Sequence, residues 1–266
     1  MRSARIGLVL LLLPFSISAW SQQTQPGTTP SPASKDPQAM NILNQALAVA
    51  GGAQAILAVA DYTATGIVIY PTPQAANVTG TVTIVGRGLK QFRLDEVLPT
   101  GSESQSVNNG GITVKSSAGA IQIAPYPAPM MAGSITLPYL QLAALSVDPN
   151  IRLIYKGIIS QAGVPLHDIR ASRVFPGQAN LNGPFVDLGN ADLFIDASTL
   201  HLVMAQDTAR RGVVRAIQYS DYRTVMSVAV PFSVSELINS AVVRQIRLNQ
   251  ISFNSGLQDS AFDLSQ

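Results

Sequence analysis

The spacing of apolar residues changes along the chain from a helical period to the alternation of strands. The helical spacing is carried by Met40, Leu43, Leu47 and Ala50. Asp36 before Pro37 supplies an N-cap residue and a proline at the first helical position. Gly51-Gly52 ends the run. We therefore predict one amphipathic helix, followed by a short helical turn within Ala53–Ala60.

From Tyr62 onward the period is two, which indicates half-buried strands. In Val78–Ile84, small and apolar residues alternate with threonines, and Tyr62–Tyr70 is the predicted hairpin partner. Phe92 and Leu94 alternate with polar residues in the next strand, and Asn108-Asn109-Gly110-Gly111 is a typical hairpin turn. The remaining predicted strands are Glu103–Val107, Ile112–Ser116, Ile151–Ile159, Val164–Phe175, Ala191–Ile195, Leu200–Thr208, Val213–Thr224, Val230–Leu237 and Ala241–Phe253.

Two stretches in the middle of the chain interrupt the strands. Ser134–Ser146 is apolar and carries Pro138 early, which predicts a short helix reached through a loop at Tyr126–Gly133. Phe175–Asn190 is rich in Gly, Pro and Asn and predicts a long loop. The fold class is therefore mainly β (α+β): one antiparallel sheet of about ten strands, with a helix at its start and another inserted midway.

The first 35 residues are predicted to lie outside this domain. Arg2 and Arg5 precede the short apolar run Ile6–Ala19, so residues 1–21 are predicted to be a signal peptide cleaved near Ser21. An uncleaved membrane anchor is the alternative interpretation. Residues 22–35, rich in Pro, Ser, Thr and Gln, form a predicted flexible linker before a domain over residues 36–266. The protein is therefore expected to be exported.

Charge and cysteine content exclude several classes of protein. The net charge is +2, and removing Arg2 and Arg5 leaves 15 basic and 15 acidic residues. A neutral domain has no electrostatic footprint for nucleic acid, so no nucleic-acid partner is expected. The absence of cysteine excludes disulfides, thiolate metal sites and a lipid-modified cysteine.

Signals for catalysis are weak. The two histidines, His167 and His201, lie in predicted strands without metal-ligand spacing, so no metal and no cofactor are predicted. A serine–histidine–carboxylate site assembled across the fold, using Asp168 or Asp207, stays open. The glutamates Glu96, Glu103 and Glu236 show no spacing that favours a pair of catalytic carboxylates. We therefore predict that the protein is not an enzyme.

The apolar excess is more informative than any polar motif. Hydrophobic residues make up 47% of the chain and charged residues only 12%. One interpretation is a large sealed core. The other is a concave sheet around an apolar cavity, capped by the Ser134–Ser146 helix and its Met-containing approach. The composition is compatible with both.

The order of the motifs resembles the LolA-like family of periplasmic lipoprotein carriers and lipoprotein-sorting proteins. The resemblance begins with the export signal, the helix ending in Gly-Gly and the threonine-rich hairpin, and it spans about Asp36 to Leu264. Its later motifs are Gly86–Asp95, the turn at Asn109, Phe194–Thr199, Val230–Phe232 and Phe253–Phe262.

The resemblance implies a curved antiparallel half-barrel whose concave face is covered by helices and accepts acyl chains. It further implies an arginine that bonds to the lid and holds it closed, which is Arg87, or Arg93 if the alignment shifts slightly. The residues expected to line or cover the cavity are Phe92, Ile135, Leu137, Tyr139, Leu140 and Leu142.

The implied function is a periplasmic carrier of lipid or lipoprotein acyl chains that performs no covalent chemistry. Its partners would be the acyl chains and a membrane-bound donor or acceptor protein, and it would be a monomer. The long Phe175–Asn190 loop and the linker before Asp36 depart from a dedicated lipoprotein carrier. The alternative is a protein-binding or envelope-stress-sensing module that uses the same fold without a lipid.

Overall fold

A computed structural model shows a sheet with helices on one side of it. The predicted signal peptide, most of the predicted linker, the Asn109-Gly110 turn, the Tyr126–Gly133 loop and nearly all of the Phe175–Asn190 loop lie outside the residues that the structure describes. Those residues are 33–73, 75–108, 111–116, 119–123, 135–174, 190–208 and 212–264.

Within the described ranges, thirteen antiparallel strands form one sheet in the order β6-β5-β4-β3-β2-β1-β13-β12-β11-β10-β9-β8-β7. The prediction of about ten strands was too low. Strand β6 was missed because its five residues give too short a pattern. The strands are β1 (Asp61–Tyr70), β2 (Val78–Arg87), β3 (Gln91–Leu98), β4 (Gly101–Asn108), β5 (Gly111–Ser116), β6 (Gly119–Ile123), β7 (Ile151–Gln161), β8 (Val164–Arg173), β9 (Asn190–Asp196), β10 (Leu202–Thr208), β11 (Val214–Val225), β12 (Val228–Ile238) and β13 (Ala241–Phe253).

The first two helices follow the predicted signals. Helix α1 (Pro37–Val49) begins with the Asp36 carboxylate, which accepts hydrogen bonds from the amides of Gln38 and Ala39 at 2.8 and 3.0 Å. Helix α2 (Ala53–Leu57) follows directly. Between them Gly51 has φ +111°, in the region that favours glycine, so the glycine pair ends α1 as predicted.

The inserted helix begins later than the sequence suggested. Helix α3 spans Pro138–Val147, whereas Ile135 and Thr136 form a turn before it. Leu137 has φ −125° and ψ 69°, because the ring of a following proline disfavours helical backbone in the residue before it. Proline therefore stands at the start of α3.

All three helices pack on one face of the sheet, which we call the helix-covered face; α1, α2 and α3 together form the helical cap. Alternate residues of strands such as β1, β2, β3, β12 and β13 point inward and join the helices in one apolar core. Representative inward residues are Val68, Ile84, Leu94, Val234 and Ile246. A smaller apolar cluster that includes Leu166 and Phe194 lies on the opposite face.

The end of the predicted linker belongs to the fold. Lys35 forms a parallel bridge with Leu153 of β7. The Ala33 amide donates to the Pro149 carbonyl and the Asp36 amide to the Leu153 carbonyl, both at 3.0 Å. The chain is thus held against the edge of the sheet from Ala33 onward, before α1 begins.

Candidate functional site

The residues predicted to cover the cavity all lie in the apolar core. Seven of the ten residues of α3 are buried, among them Tyr139, Leu140 and Leu142. Ile135 and Leu137 are buried just before the helix, and Phe92 is buried on β3. The structure therefore brings the predicted lid residues together with the sheet, in a helix that is apolar nearly all round.

Polar contacts fix the start of α3. The Tyr139 hydroxyl lies 2.7 Å from His201 Nδ1 and accepts a hydrogen bond from the Leu202 amide at 3.3 Å. The His201 ring stacks on Tyr222 with ring centroids 4.3 Å apart. Burial lowers the pKa of His201 and raises that of Tyr139 to about 12, so burial favours the neutral form of both groups.

A lysine fixes the end of α3. Lys35 Nζ donates to the Ser146 carbonyl at 2.6 Å, so a cation meets the last carbonyls of the helix, where the helix dipole favours positive charge. Burial lowers the pKa of Lys35, while the nearby Asp148 carboxylate opposes that shift. The two ends of α3 are thus attached by polar contacts of Tyr139 and Lys35, and the turns between them by apolar packing.

The two predicted latch arginines contact a different segment. Arg87 donates to the Leu257 carbonyl at 3.3 Å, pairs with the Asp259 carboxylate and lies over the Phe262 ring, with 5.3 Å between guanidinium and centroid. Arg93 donates to Asp95 at 2.9 Å and to the Ala261 carbonyl at 3.3 Å. We call the segment that they hold, residues 254–264, the C-terminal strap.

The predicted bond from Arg87 or Arg93 to the lid is not found within the described residues. Phe92 and Leu94 point to the helix-covered face, so Arg93 between them points to the far face, and Arg87 lies opposite Asp61 on that same far face. Residues on the far face cannot reach α3. Arg87 and Arg93 therefore contact the strap.

Further contacts anchor the strap along its length. The buried Asp61 carboxylate accepts hydrogen bonds from the amides of Ser255, Gly256 and Leu257 at 2.7, 3.0 and 3.2 Å. Ser106 Oγ donates to the Phe262 carbonyl at 2.5 Å, and the Phe262 side chain is buried. A polar cavity of about 370 Å³ borders the strap and is lined by Arg93, Ser102, Ser104, Lys115, Ser116, Ser260, Asp263 and Leu264.

Sequence reasoning missed a set of charged side chains on the helix-covered face. Arg244 and Glu96 are only 8% and 2% exposed. Arg244 donates to Glu96 at 3.3 Å and to Glu236 at 2.9 Å, and Arg215 donates to Glu236 at 2.8 Å. Together with Asp207, which is the cross-strand neighbour of Arg215, these four residues form what we call the charged ribbon.

Hydrogen bonds offset much of the free-energy cost of burying charged groups in the ribbon. The Tyr70 hydroxyl donates to the second oxygen of Glu96, and burial raises the pKa of Tyr70 to about 12. Burial opposes the charge of Arg244, but the carboxylates of Glu236 and Glu96 raise its pKa above the ordinary value. Arg244, Ile246 and Leu248 occupy alternate positions of β13 and all point inward. This alternation was the sequence signal that could have placed Arg244 on the inward face.

Each of the two histidines lies within hydrogen-bond distance of a tyrosine hydroxyl. His167 Nδ1 lies 3.0 Å from the Tyr155 hydroxyl, and His201 bonds to Tyr139 as described above. Within the described ranges, no group of three or more His, Asp or Glu side chains could hold a metal ion. No helix in the part of the chain that the structure describes is long and apolar enough to cross a membrane.

These features define a mainly β protein in which helices cover one face of a curved antiparallel half-barrel, the LolA-like fold. A LolA superfamily protein from Nitrosomonas europaea matches with a TM-score of 0.54, at 10% identity, over 82% of this chain and 96% of that chain. An outer membrane lipoprotein-sorting protein domain from Vibrio parahaemolyticus matches with a TM-score of 0.52, at 9% identity, over 85% and 96%.

A DUF1329 family protein from Desulfovibrio piger is also similar, with a TM-score of 0.52 at 9% identity, over 84% of this chain and 98% of that chain. No protein-family model matches the sequence, and no curated protein matches it. At such low identities the likeness concerns the fold alone. At that level the predicted resemblance to the LolA-like family is confirmed.

Proposed function

We propose that the protein is a periplasmic carrier that shields the acyl chains of a lipid or lipoprotein between the helical cap and the sheet, without covalent chemistry or a cofactor. The observation that carries this proposal is helix α3. Its side chains are apolar nearly all round and are buried on the inner face of a LolA-like sheet. An acyl chain offers the same chemistry as these side chains and could replace their contacts.

The energetics are compatible with the exchange of α3 contacts for ligand contacts. Leu140, Leu142 and Leu145 each bury a side chain worth about 1.5–3 kcal/mol of apolar transfer. Each acyl methylene buried in their place gains about 0.8 kcal/mol, so a chain of some ten methylenes offsets the loss of these contacts. Lid movement would break only a few polar contacts, at Tyr139 and Lys35.

The proposed setting is the periplasm, after removal of the predicted signal peptide near Ser21. A carrier of this kind would receive its cargo from one membrane-bound protein and deliver it to another, and would act as a monomer. The similar domain from Vibrio parahaemolyticus belongs to an outer membrane lipoprotein-sorting protein, which supports this setting by analogy of fold. In this proposal Arg87 and Arg93 act on the strap and Phe92 lies beneath the cap.

A second candidate function is the protein-binding or envelope-stress-sensing module. The close packing of the cap favours it, because Tyr139, Leu142 and the inward strand residues fill the space between helix and sheet in the described residues. Such a module would keep this core filled and use its outer surface. The two functions therefore differ in whether an acyl chain enters the core.

Native mass spectrometry of the protein secreted from the full-length chain tests the proposal. A carrier is expected to retain a stoichiometric acyl species, identifiable after solvent extraction, or to acquire one from added lipids and lipopeptides. Amide exchange of residues 138–147 should then slow or quicken on loading, because α3 changes its contacts. A clean apo mass that no lipid changes would overturn the carrier and leave the protein-binding module.

A further inference from the structure

The charged ribbon crosses the helix-covered face from β3 to β10, through Glu96, Arg244, Glu236, Arg215 and Asp207. Charged groups on a face that is otherwise apolar are costly unless each is paired. Glu96 and Glu236 both meet this requirement, since each of their carboxylate oxygens has a partner. The ribbon is therefore a built polar boundary at one end of the apolar core.

The last member of the ribbon is the exception. Asp207 Oδ1 is buried and has no hydrogen-bond partner among the residues that the structure describes. Arg215, its cross-strand neighbour, donates to Glu236 instead. Burial raises the pKa of Asp207, and the Glu236 carboxylate adds to this effect while Arg215 opposes it. A buried acceptor without a partner has lost the hydrogen bonding that water gave it, and a donor from a ligand would restore it.

The charge balance of the ribbon restricts the ligand. Its two guanidiniums are ion-paired with Glu96 and Glu236, so two carboxylates already balance their positive charge. Asp207 is the third carboxylate against two cations. A complementary group therefore brings a hydrogen-bond donor, either a hydroxyl or an ammonium, and no negative charge.

We propose that the charged ribbon is the head-group site of the carrier, where Asp207 accepts a hydrogen bond from a hydroxyl or ammonium group of an amphiphile. This inference rests on the proposed function, because the acyl chain of the same ligand lies under the cap. The ligand is thus oriented with its polar head at the β10–β13 end of the ribbon and its chain along the apolar inward positions. The ribbon selects donor-bearing heads over heads without a donor.

Three probes with the same acyl length test this selection: monomyristoyl glycerol with hydroxyls, myristylamine with an ammonium, and methyl myristate with no donor. Affinities are measured by native mass spectrometry titration of the full chain after signal removal. We expect at least one donor-bearing probe to bind about tenfold more tightly than methyl myristate. Which of the two binds more tightly distinguishes a hydroxyl head from an ammonium head.

The variant Asp207→Leu removes both acceptor oxygens at similar volume and should abolish the preference while leaving methyl myristate binding unchanged. Asp207→Asn has nearly the same shape and retains one carbonyl acceptor, so it should keep part of the preference. It also allows the test to be made if Asp207→Leu does not fold. Asp221→Asn, at an exposed position on β11, is the matched control and should behave as wild type.

The possible failures are distinguishable. Equal binding of all three probes to the wild-type protein would overturn the head-group site and leave the carrier standing. A preference that survives in Asp207→Leu would overturn the assignment to Asp207. Binding of none of the three probes would overturn the carrier function, and the head-group site with it.

Discussion

Replacing Arg87 by glutamine separates a strap anchor from a lid latch. The guanidinium contacts the strap at Leu257, Asp259 and Phe262. A latch of the kind implied by the family resemblance would instead stabilise α3. Arg87→Gln should therefore loosen residues 257–263 and leave α3 as protected as before.

The magnitude follows from the individual contacts. The ion pair contributes little, because the Asp259 side chain is 84% exposed. The hydrogen bond to the Leu257 carbonyl and the guanidinium over the Phe262 ring each contribute about 0.5–1 kcal/mol. Their loss lowers the free energy of strap opening by about 1.5 kcal/mol, which is about tenfold in the opening equilibrium.

Amide hydrogen exchange followed by mass spectrometry resolves the two segments. Peptides from the strap should exchange about tenfold faster in Arg87→Gln, while peptides covering residues 138–147 should be unchanged. Lys90→Gln removes a positive charge from the exposed turn between β2 and β3 and serves as the matched control. Faster exchange in α3 with an unchanged strap would refute the strap assignment and restore the latch.

Three further predictions concern stability, each measured by urea unfolding. Asp61→Ala removes the acceptor of the Ser255, Gly256 and Leu257 amides and should lower the free energy of unfolding by on the order of 3 kcal/mol. A loss below about 1 kcal/mol would contradict the role of Asp61 as the main anchor of the strap. Gly86→Ala places a methyl group against the buried Tyr62 ring and should cost about 1–3 kcal/mol; wild-type stability would show that the ring can move. Because burial lowers the pKa of His201, the unfolded chain binds its proton first as pH falls below about 6.5, so stability should fall from pH 7 to 5. His201→Gln should flatten this part of the profile, and an equal slope in both proteins would exclude His201 as its source.

Local chemistry made much of the fold predictable. Capping by Asp36 and Pro37, termination at Gly51 and the pairing of Asn108 with Gly111 across a hairpin each depend on neighbouring residues. The alternation of inward residues likewise revealed nearly every strand, because period two needs no knowledge of the partner strand. The strand that was not predicted, β6, is only five residues long.

The site was less predictable, because its residues meet across long separations in sequence. Arg244 and Glu96 are 148 residues apart, and no local pattern links them. They meet only once β13 joins β1 and carries Arg244 beside the first hairpin. The same holds for the strap, whose contact between Arg87 and Leu257 spans 170 residues.

The arginines show why strand register decides function here. A shift of one residue in register exchanges the two faces of a strand, so an arginine motif alone does not say whether the side chain meets the cap or the far side. On β3, Phe92 and Leu94 are buried under the cap, so Arg93 between them lies on the far face and contacts the strap. On β13, Ile246 is buried under the cap, and Arg244, two residues before it, lies on the same inward face. Of Arg87, Arg93 and Arg244, only Arg244 therefore has its guanidinium on the inward face beside the apolar interior, so tests of cargo binding belong at the charged ribbon and tests of strap opening at Arg87.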